Sequence, residues 1–211
     1  MLQNKIKKVQ FGPFNTSETE LIDILKAWAA ISIAFSIVLV GFSSWLGFFY
    51  GLIMSAITVG LGFLLHELAH KVVAQRYGCF AEFRAFDQML LLMILMSFLG
   101  FVLAAPGAVM ISGPVGKRRN GIISIAGPAT NIILAAIFLL NFIFIPVGIV
   151  KVISSFGFVI NTWLALFNLI PLWNFDGKKV WDWSKAVWIA AVIITIAFMF
   201  SQPYLGINLG L

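Results

Sequence analysis

The sequence predicts an all-α polytopic membrane protein with about five transmembrane helices and one re-entrant helix–strand element. Hydrophobic residues make up 61% of the 211 residues and charged residues only 10%, and the mean hydropathy is +1.03. Soluble globular domains carry about 25% charged residues. The charges that are present lie in short tracts between long apolar runs, which is typical of polytopic proteins. This composition excludes a soluble enzyme, and it makes lipid rather than nucleic acid the expected partner of the +6 net charge.

Apolar runs of membrane-spanning length place the helices along the chain. Ser17 is the predicted N-cap of the first helix, with the Glu20 side chain reaching back to it in a capping box. No cleavable signal pattern precedes this helix, so we expect it to be retained. We expect one integral-membrane domain over residues 1–211, with spans of roughly 18–42, 46–75, 121–145, 152–173 and 186–201.

The apolar run from Met89 to Val115 is predicted to be re-entrant. Basic residues flank both of its ends, at Arg84 and at Lys117-Arg118-Arg119, and the positive-inside rule assigns both flanks to the cytoplasmic side. We therefore expect a helix near 88–103 and an extended return over 107–112, beside a groove, because irregular backbone at membrane depth needs protein or a water-filled cavity next to it. An ordinary span is the alternative.

The segments around this run are predicted to be polar connections. Residues 71–87 hold five charged side chains and are expected to form a loop in water. Residues 174–185 are expected to link the last two spans on the cytoplasmic side of the membrane, the side assigned to the flanks of the re-entrant run. Cys79 is the single cysteine of the chain, so neither an internal disulfide nor a cysteine metal site is offered.

The two histidines of the chain lie four residues apart, late in the second predicted span, in His66-Glu67-Leu68-Ala69-His70. On a helix this spacing puts both imidazoles on one face, about 6 Å apart, which suits two ligands of one metal ion. Glu67 then points to an adjacent part of the surface, where it can reach a water on the metal. This is the HExxH arrangement of zinc hydrolases. A core histidine bonded to backbone explains one of these residues but not the triplet, and ionisable groups within a span are usually functional.

Two histidines leave a zinc ion short of one protein ligand. The acidic candidates near the membrane are Asp23, Glu82, Asp87 and Asp176. The predicted topology puts the ends of the second and fourth spans at the same depth, which favours Asp176. From the residues alone, an Asp176 that simply faces solvent remains equally acceptable.

Three sequence elements, taken together and in this order, resemble the site-2 protease family, the intramembrane zinc metalloproteases of the M50 type. The first element is the HExxH motif, and the other two resemble the family's GPxxN and NxxPxxxxDG elements. The resemblance covers about residues 46–177. The matching segments are His66-Glu67-Leu68-Ala69-His70, Ala126-Gly127-Pro128-Ala129-Thr130-Asn131 and Asn168-x-x-Pro171-x-x-x-x-Asp176-Gly177.

The resemblance implies that His66, His70 and Asp176 bind one zinc ion per chain and that Glu67 is the general base. It further implies roles in substrate contact, oxyanion contact or site shape for Gly127, Pro128, Asn131, Asn168, Pro171 and Gly177. For Asn131, a helix-packing hydrogen bond is an equally good interpretation. Trp173-Asn174-Phe175 departs from the residues that often precede Asp-Gly in the family, which leaves the local turn open. The PDZ and CBS domains that many members carry are not expected here.

The function expected from these features is hydrolysis of peptide bonds in membrane-embedded or membrane-adjacent segments of a membrane-spanning substrate protein. A transmembrane helix hides its amides, so the substrate must unwind, and residues 107–112 are the predicted strand that would hold it. The expected location is the plasma membrane, with the site toward the cytoplasm. A zinc-containing scaffold without activity and a transporter or channel are the alternatives; the intact Glu67 disfavours the first, and the lack of further acids within the spans disfavours the second. A regulatory membrane partner is left open.

Overall fold

Helices dominate the computed structural model of the protein, which describes residues 8–11, 14–42, 44–102, 106–145 and 147–207. The structure confirms the prediction of an all-α polytopic membrane protein. Residues 1–7, on which the expectation of a retained first span depends, lie outside the described residues. Within the described part of the chain, five helical stretches are long and apolar enough to cross a bilayer, namely Glu18–Val40, Trp45–Arg76, Lys117–Phe144, Gly148–Asn168 and Lys185–Leu205.

The elements are numbered in chain order. The helices are α1 (Glu18–Val40), α2 (Trp45–Ser55), α3 (Leu61–Arg76), α4 (Asp87–Ser97), α5 (Lys117–Phe144), α6 (Gly148–Asn168), α7 (Asp176–Trp183) and α8 (Lys185–Ser201). A π-helical segment, Ala56–Gly60, joins α2 to α3, and a short 3₁₀ helix, Pro203–Leu205, follows α8. The strands are β1 (Lys8–Phe11), β2 (Phe14–Ser17), β3 (Phe80–Ala85) and β4 (Gly107–Ser112).

The outer face of α5 shows the pattern expected of a helix in lipid. Ile133, Ile137, Leu140 and Phe144 follow one another at spacings of four, three and four residues, and all four side chains are exposed. In a soluble protein such a stripe would face the core. Its exposure here is consistent with contact with acyl chains.

The described residues form two compact units. The first contains the residues up to Ser55 together with Lys71–Pro114, and the second contains Ala56–His70 and the residues from Val115 onward. The expectation of a single domain over residues 1–211 stays a prediction.

In the first unit, α1 packs against α2, α4 and β3. Ser17 is the N-cap of α1, as predicted, since its hydroxyl accepts a hydrogen bond from the Glu20 N–H at 3.2 Å. The second half of the predicted capping box is wrong, because the Glu20 carboxylate bonds instead to Lys71, Thr16 and the Phe83 N–H. These partners draw it into a buried cluster.

The segment after α3 also differs from the prediction. Part of the expected loop over 71–87 is strand β3, which pairs antiparallel with β4 from Phe80↔Ser112 to Ala85↔Gly107. The sequence of β3, Phe-Ala-Glu-Phe-Arg-Ala, alternates between its two faces, and the side chains of Ala81 and Phe83 are buried. Of the five charged residues that suggested a loop, Glu82 and Arg84 lie on this strand, Lys71 and Arg76 lie in α3, and Asp87 begins α4.

The β3–β4 pair bears directly on the re-entrant element. Helix α4 has 11 residues, a length of about 16 Å, which is too short for a hydrocarbon core of about 30 Å. The pairing of Ala85 with Gly107 returns the chain to the place where it left. An ordinary span over 88–115 is therefore not formed. The helix ends at Ser97, before the predicted end at Leu103, which lies outside the described residues, and its depth in a membrane stays a prediction.

In the second unit, α5 packs against α6 and α7, while α6 also packs against the π-helical segment and α8. Ala135, Phe158, Val159 and Ile207 form an apolar core. Helix α6 ends at Asn168, five residues before the predicted end, because the residue before Pro171 is biased away from helix. Helix α7 was not predicted and lies within the segment 174–185 that was expected to be a connection.

Candidate metal centre

Three potential ligand atoms converge within the second unit. The His66 Nε2 atom lies 3.0 Å from His70 Nε2 and 3.3 Å from Asp176 Oδ2, and His70 Nε2 lies 3.0 Å from the same oxygen. The side chains are only 5%, 9% and 13% exposed. Among the described residues, this is the one group of three histidine, cysteine or acidic side chains that is compact enough to hold a metal ion.

The two histidines reach this point because α3 places them one turn apart on one face, as their spacing predicts. Asp176 arrives by a different route. It is the first residue of α7, where a carboxylate is favoured by the positive end of the helix dipole. Its Oδ2 atom faces the imidazoles, and its Oδ1 atom lies 3.8 Å from Lys179 Nζ.

The charge state of Asp176 follows from its surroundings. Burial alone would raise the pKa of Asp176, but the positive charge and hydrogen bonds of the adjacent His70 and His66 imidazoles in their protonated form hold the pKa of this carboxyl well below its usual range. The residue therefore faces the site as a carboxylate, which is the form that binds metal ions.

Hydrogen bonds on the far side of each ring set the tautomers of the histidines. His70 Nδ1 lies 2.7 Å from the Ile123 carbonyl oxygen, which can only accept, so Nδ1 carries the proton. His66 Nδ1 lies 2.6 Å from Asn131 Oδ1, and the Asn131 amide is oriented because its Nδ2 donates to the Gly62 carbonyl at 3.1 Å. Nε2 of each ring is therefore the atom left to bind a metal ion, and both Nε2 atoms face Asp176 Oδ2. Metal-binding histidines are held in this way by a second set of residues.

When both rings are neutral, three lone-pair atoms at this separation repel one another unless a cation, either a proton or a metal ion, lies among them. Tetrahedral zinc with bonds of about 2.0–2.2 Å holds its ligand atoms about 3.3–3.6 Å apart, close to the 3.0–3.3 Å found here. Two imidazoles and one carboxylate also form the donor set of catalytic zinc sites, which leave a fourth position open. The residues present fit a zinc ion.

Helix α5 leaves room for such an ion. A Cβ atom on Gly127 would clash with Nε2 of both His66 and His70, so only a glycine fits opposite the ligand nitrogens. The following residue, Pro128, lies within the helix and lacks the N–H that would bond one turn back. Pro128 therefore removes the helical hydrogen bond to the carbonyl of Ser124. That residue follows Ile123, whose carbonyl accepts a hydrogen bond from His70 Nδ1.

A comparison with curated proteins identifies the family. A protein of Methanocaldococcus jannaschii, provisionally named a zinc metalloprotease, is 40% identical to this chain over 189 residues, which cover 88% of this chain and 95% of the relative. The chain belongs to the family of that protein. Neither a protein-family model nor a solved structure matches the chain.

Because the chain belongs to this zinc metalloprotease family, the position of Glu67, the predicted general base, is important. The residue follows His66 on α3, and only 9% of it is exposed. Its position on the helix is about 100° from His66 and about 60° from His70, so it borders the face that carries the ligands. That it acts as the general base stays a prediction.

The other acidic candidates for a ligand have partners of their own within the first unit. Glu82 pairs with Arg84. Asp87 and Asp23 both pair with Lys26, at 2.6 and 3.0 Å. The structure brings Asp176, rather than any of these three, to the two histidines.

The remaining predicted site residues, Asn168, Pro171 and Gly177, lie in and beside the turn between α6 and α7. Asn168 donates to the Leu164 carbonyl within α6 at 2.9 Å, and Pro171 lies in the turn that follows. A Cβ atom on Gly177 would clash with the Leu169 carbonyl, which explains the glycine after Asp176. The departure from the family pattern is accommodated by Trp173, whose φ of 49° is left-handed and whose side chain is 91% exposed.

Sequence reasoning missed two groups behind the histidines: the Ile123 carbonyl, which bonds to His70, and Asn161, whose Oδ1 atom accepts a hydrogen bond from Asn131 Nδ2 at 3.0 Å. The Ile123 carbonyl carries no signal in the sequence, because any residue has one. Asn161 does carry a signal, since an amide side chain in the middle of an apolar span is costly and is usually retained for a function.

Proposed function

We propose that the protein is an intramembrane zinc metalloprotease of the site-2 class, which hydrolyses peptide bonds in membrane-embedded or membrane-adjacent segments of other proteins. The observation that carries this proposal is the convergence of His66 Nε2, His70 Nε2 and Asp176 Oδ2 in a chain with five helices apolar enough to cross a bilayer. The family relationship supports the metalloprotease chemistry.

The chemistry follows from the residues at the site. His66, His70 and Asp176 would hold the zinc ion, with Asn131 and the Ile123 carbonyl fixing the two rings. Bound zinc supplies Lewis acidity and lowers the pKa of a water to about 7. Glu67 accepts a proton from the attacking water and returns it to the amine as the C–N bond of the peptide breaks.

The substrate must present an extended backbone, because the amides of a helix are hydrogen-bonded internally. Strand β4 belongs to a two-stranded sheet, and extended peptides add to the edges of such sheets. We propose β4 as the strand that holds the unwound segment of a membrane-spanning substrate.

The activity can be tested with purified protein in lipid nanodiscs and two probes. The first probe is a single-span membrane protein with an apolar helix, and the second is soluble, unfolded β-casein. We expect cleavage of the first probe. The Glu67→Gln variant should cleave it at least about 100-fold more slowly, since general bases contribute about 10²–10⁴-fold, while it keeps its zinc.

The matched control is Asp87→Asn, which removes an exposed carboxylate that pairs with Lys26, and it should cleave at the rate of the original chain. An active Glu67→Gln variant would overturn the proposed mechanism. Cleavage of casein alone would overturn the intramembrane substrate. Zinc uptake into vesicles without any cleavage would favour a transporter instead.

We further propose a multi-pass location in the plasma membrane, with the site toward the cytoplasm, on the basis of the flanking basic residues. A cysteine at Asn120, in a Cys79→Ser background, should react with an impermeant thiol reagent from the cytoplasmic side. Labelling from the opposite side alone would reverse the orientation.

A further inference from the structure

Asn161 is a polar side chain buried in the middle of α6, with no exposed surface. Its Oδ1 atom accepts a hydrogen bond from Asn131 Nδ2 at 3.0 Å. Its own Nδ2 atom donates to the Gly157 carbonyl at 2.9 Å. Asn161 therefore connects the side chain of Asn131, the residue that holds His66, to the backbone of α6.

We propose that Asn161 is a positioning residue of the metal centre, which acts through Asn131 to hold His66 in the tautomer that leaves Nε2 bare. This role rests on the proposed zinc chemistry. It assigns to Asn161 a function in metal binding without any contact with the metal.

The need for such a residue follows from the symmetry of an amide. Asn131 could turn over and present Nδ2 to His66 Nδ1, which would move the ring proton to Nε2, the atom needed for the metal. In that orientation Asn131 Oδ1 would face two acceptors, the Gly62 carbonyl and Asn161 Oδ1. The buried amide loses both hydrogen bonds in that state, and each polar group left unsatisfied away from water destabilises it.

The orientation of Asn161 is fixed in turn by the backbone. The Gly157 carbonyl can only accept, so it holds Asn161 Nδ2 and leaves Oδ1 to face Asn131. A chain of hydrogen bonds thus links His66 to Asn131, Asn131 to Asn161, and Asn161 to the Gly157 carbonyl of α6, with each residue donating to the next. Starting from the Gly157 carbonyl, each of these bonds determines the next.

Gly62 provides the space for this chain of hydrogen bonds. A Cβ atom at residue 62 would lie 2.5 Å from Asn161 Oδ1. A glycine there lets α3 approach α6 closely enough for its carbonyl and the two amides to meet. An apolar residue at 161 would pack as well in a span, so packing alone does not account for the amide.

The test measures the zinc dissociation constant in detergent by competition with a chromophoric chelator, together with the unfolding temperature of each variant. Asn161→Leu should weaken zinc binding about 10-fold, at the lower end of the effects of residues that support a metal ligand. Asn161→Asp should bind more tightly than Asn161→Leu, because a protonated carboxyl keeps one donor and one acceptor in place. Gly62→Ala should weaken binding like Asn161→Leu, by displacing the amide.

Thr162→Val is the matched control. Thr162 is the next residue of α6, is 1% exposed and bonds to a carbonyl of its own helix, Phe158, at 2.7 Å. This variant should destabilise the fold comparably and leave the zinc affinity unchanged. Equal losses of affinity in Asn161→Leu and Thr162→Val would overturn the positioning role.

A double-mutant cycle tests the route through Asn131. In an Asn131→Leu background, Asn161→Leu should cause no further loss of zinc affinity, whereas additive losses would overturn the proposed route. An unchanged affinity in Asn161→Leu alone would overturn the positioning role and leave the proposed function intact. If the original chain binds no zinc, the proposed function fails, and the positioning role fails with it.

Discussion

Two buried clusters of charged and polar groups, one in each unit, differ in how their hydrogen bonds balance. In the first unit, Glu20 accepts from Lys71 Nζ at 2.5 Å, from the Thr16 hydroxyl at 2.7 Å and from the Phe83 N–H at 2.9 Å. Glu20 is fully buried and Lys71 is 5% exposed. Each acceptor in this cluster meets a donor, and the charges cancel.

With both imidazoles neutral, as metal binding requires, the cluster of the second unit has acceptors alone at its centre. The Nε2 atoms of His66 and His70 and the Oδ2 atom of Asp176 point at one another, while the ring protons are directed outward to Asn131 and Ile123. Burial of charge therefore does not distinguish a functional site from a structural one. The distinguishing feature is the set of acceptors formed when both rings are neutral, because these atoms then need a bound cation among them.

The largest effect is expected from removal of the two imidazoles. The original chain should carry about one zinc ion after purification in mild detergent, and the His66→Ala, His70→Ala double variant should carry almost none, because one carboxylate cannot hold the metal. Metal analysis by mass spectrometry measures both. Full zinc occupancy in the double variant would show that His66, His70 and Asp176 do not form the zinc site.

Asp176→Asn should weaken zinc binding by more than the roughly 100-fold that changes behind the ligands reach, and it should abolish cleavage. The change keeps the size of the side chain but removes its charge. Glu82→Gln and Asp87→Asn are the controls, because these acids pair with Arg84 and Lys26. Loss of zinc in the controls, with retention in Asp176→Asn, would move the third ligand out of the second unit.

Glu20→Gln should leave zinc in place and lower the free energy of unfolding by about 3–5 kcal/mol, the usual cost of breaking a buried ion pair. The cause is the buried Lys71 ammonium, which loses its counter-charge. Unfolding by denaturant in detergent measures the loss. The Glu20→Gln, Lys71→Met double variant should recover much of it, and zinc loss from Glu20→Gln would show that the balanced cluster also serves the metal.

The smallest effect is expected for a pair of charges in water. Lys178 and Asp182 form a salt bridge of 2.5 Å on α7, but both side chains are more than 40% exposed. Lys178→Gln should therefore change the free energy of unfolding by less than about 0.5 kcal/mol. If Lys178→Gln lowered the free energy of unfolding as much as Glu20→Gln, the solvent exposure of an ion pair would not predict its contribution to stability.

Periodicity and composition predicted those parts of the fold that depend on local sequence. The apolar runs located all five long helices, and Ser17 marked the start of α1. Strand β3 and helix α7 were missed, because six or eight residues with several charges carry too weak a periodic signal. The boundaries at Val40 and Asn168 also shifted, since a helix end depends on its caps and on nearby prolines as well as on hydropathy.

The sequence by itself determined the pairing of His66 with His70, because a helix repeats every 3.6 residues and needs no distant contact to bring them together. It also determined the membrane setting through the length and polarity of the apolar runs. Only the tertiary structure decided the rest of the centre. Asp176 lies 110 residues from His66, and Asn131, Asn161 and the Ile123 carbonyl come from α5 and α6. The resemblance to the NxxPxxxxDG element pointed to Asp176, but the convergence of these groups depends on how the helices pack, which no periodicity of the sequence determines.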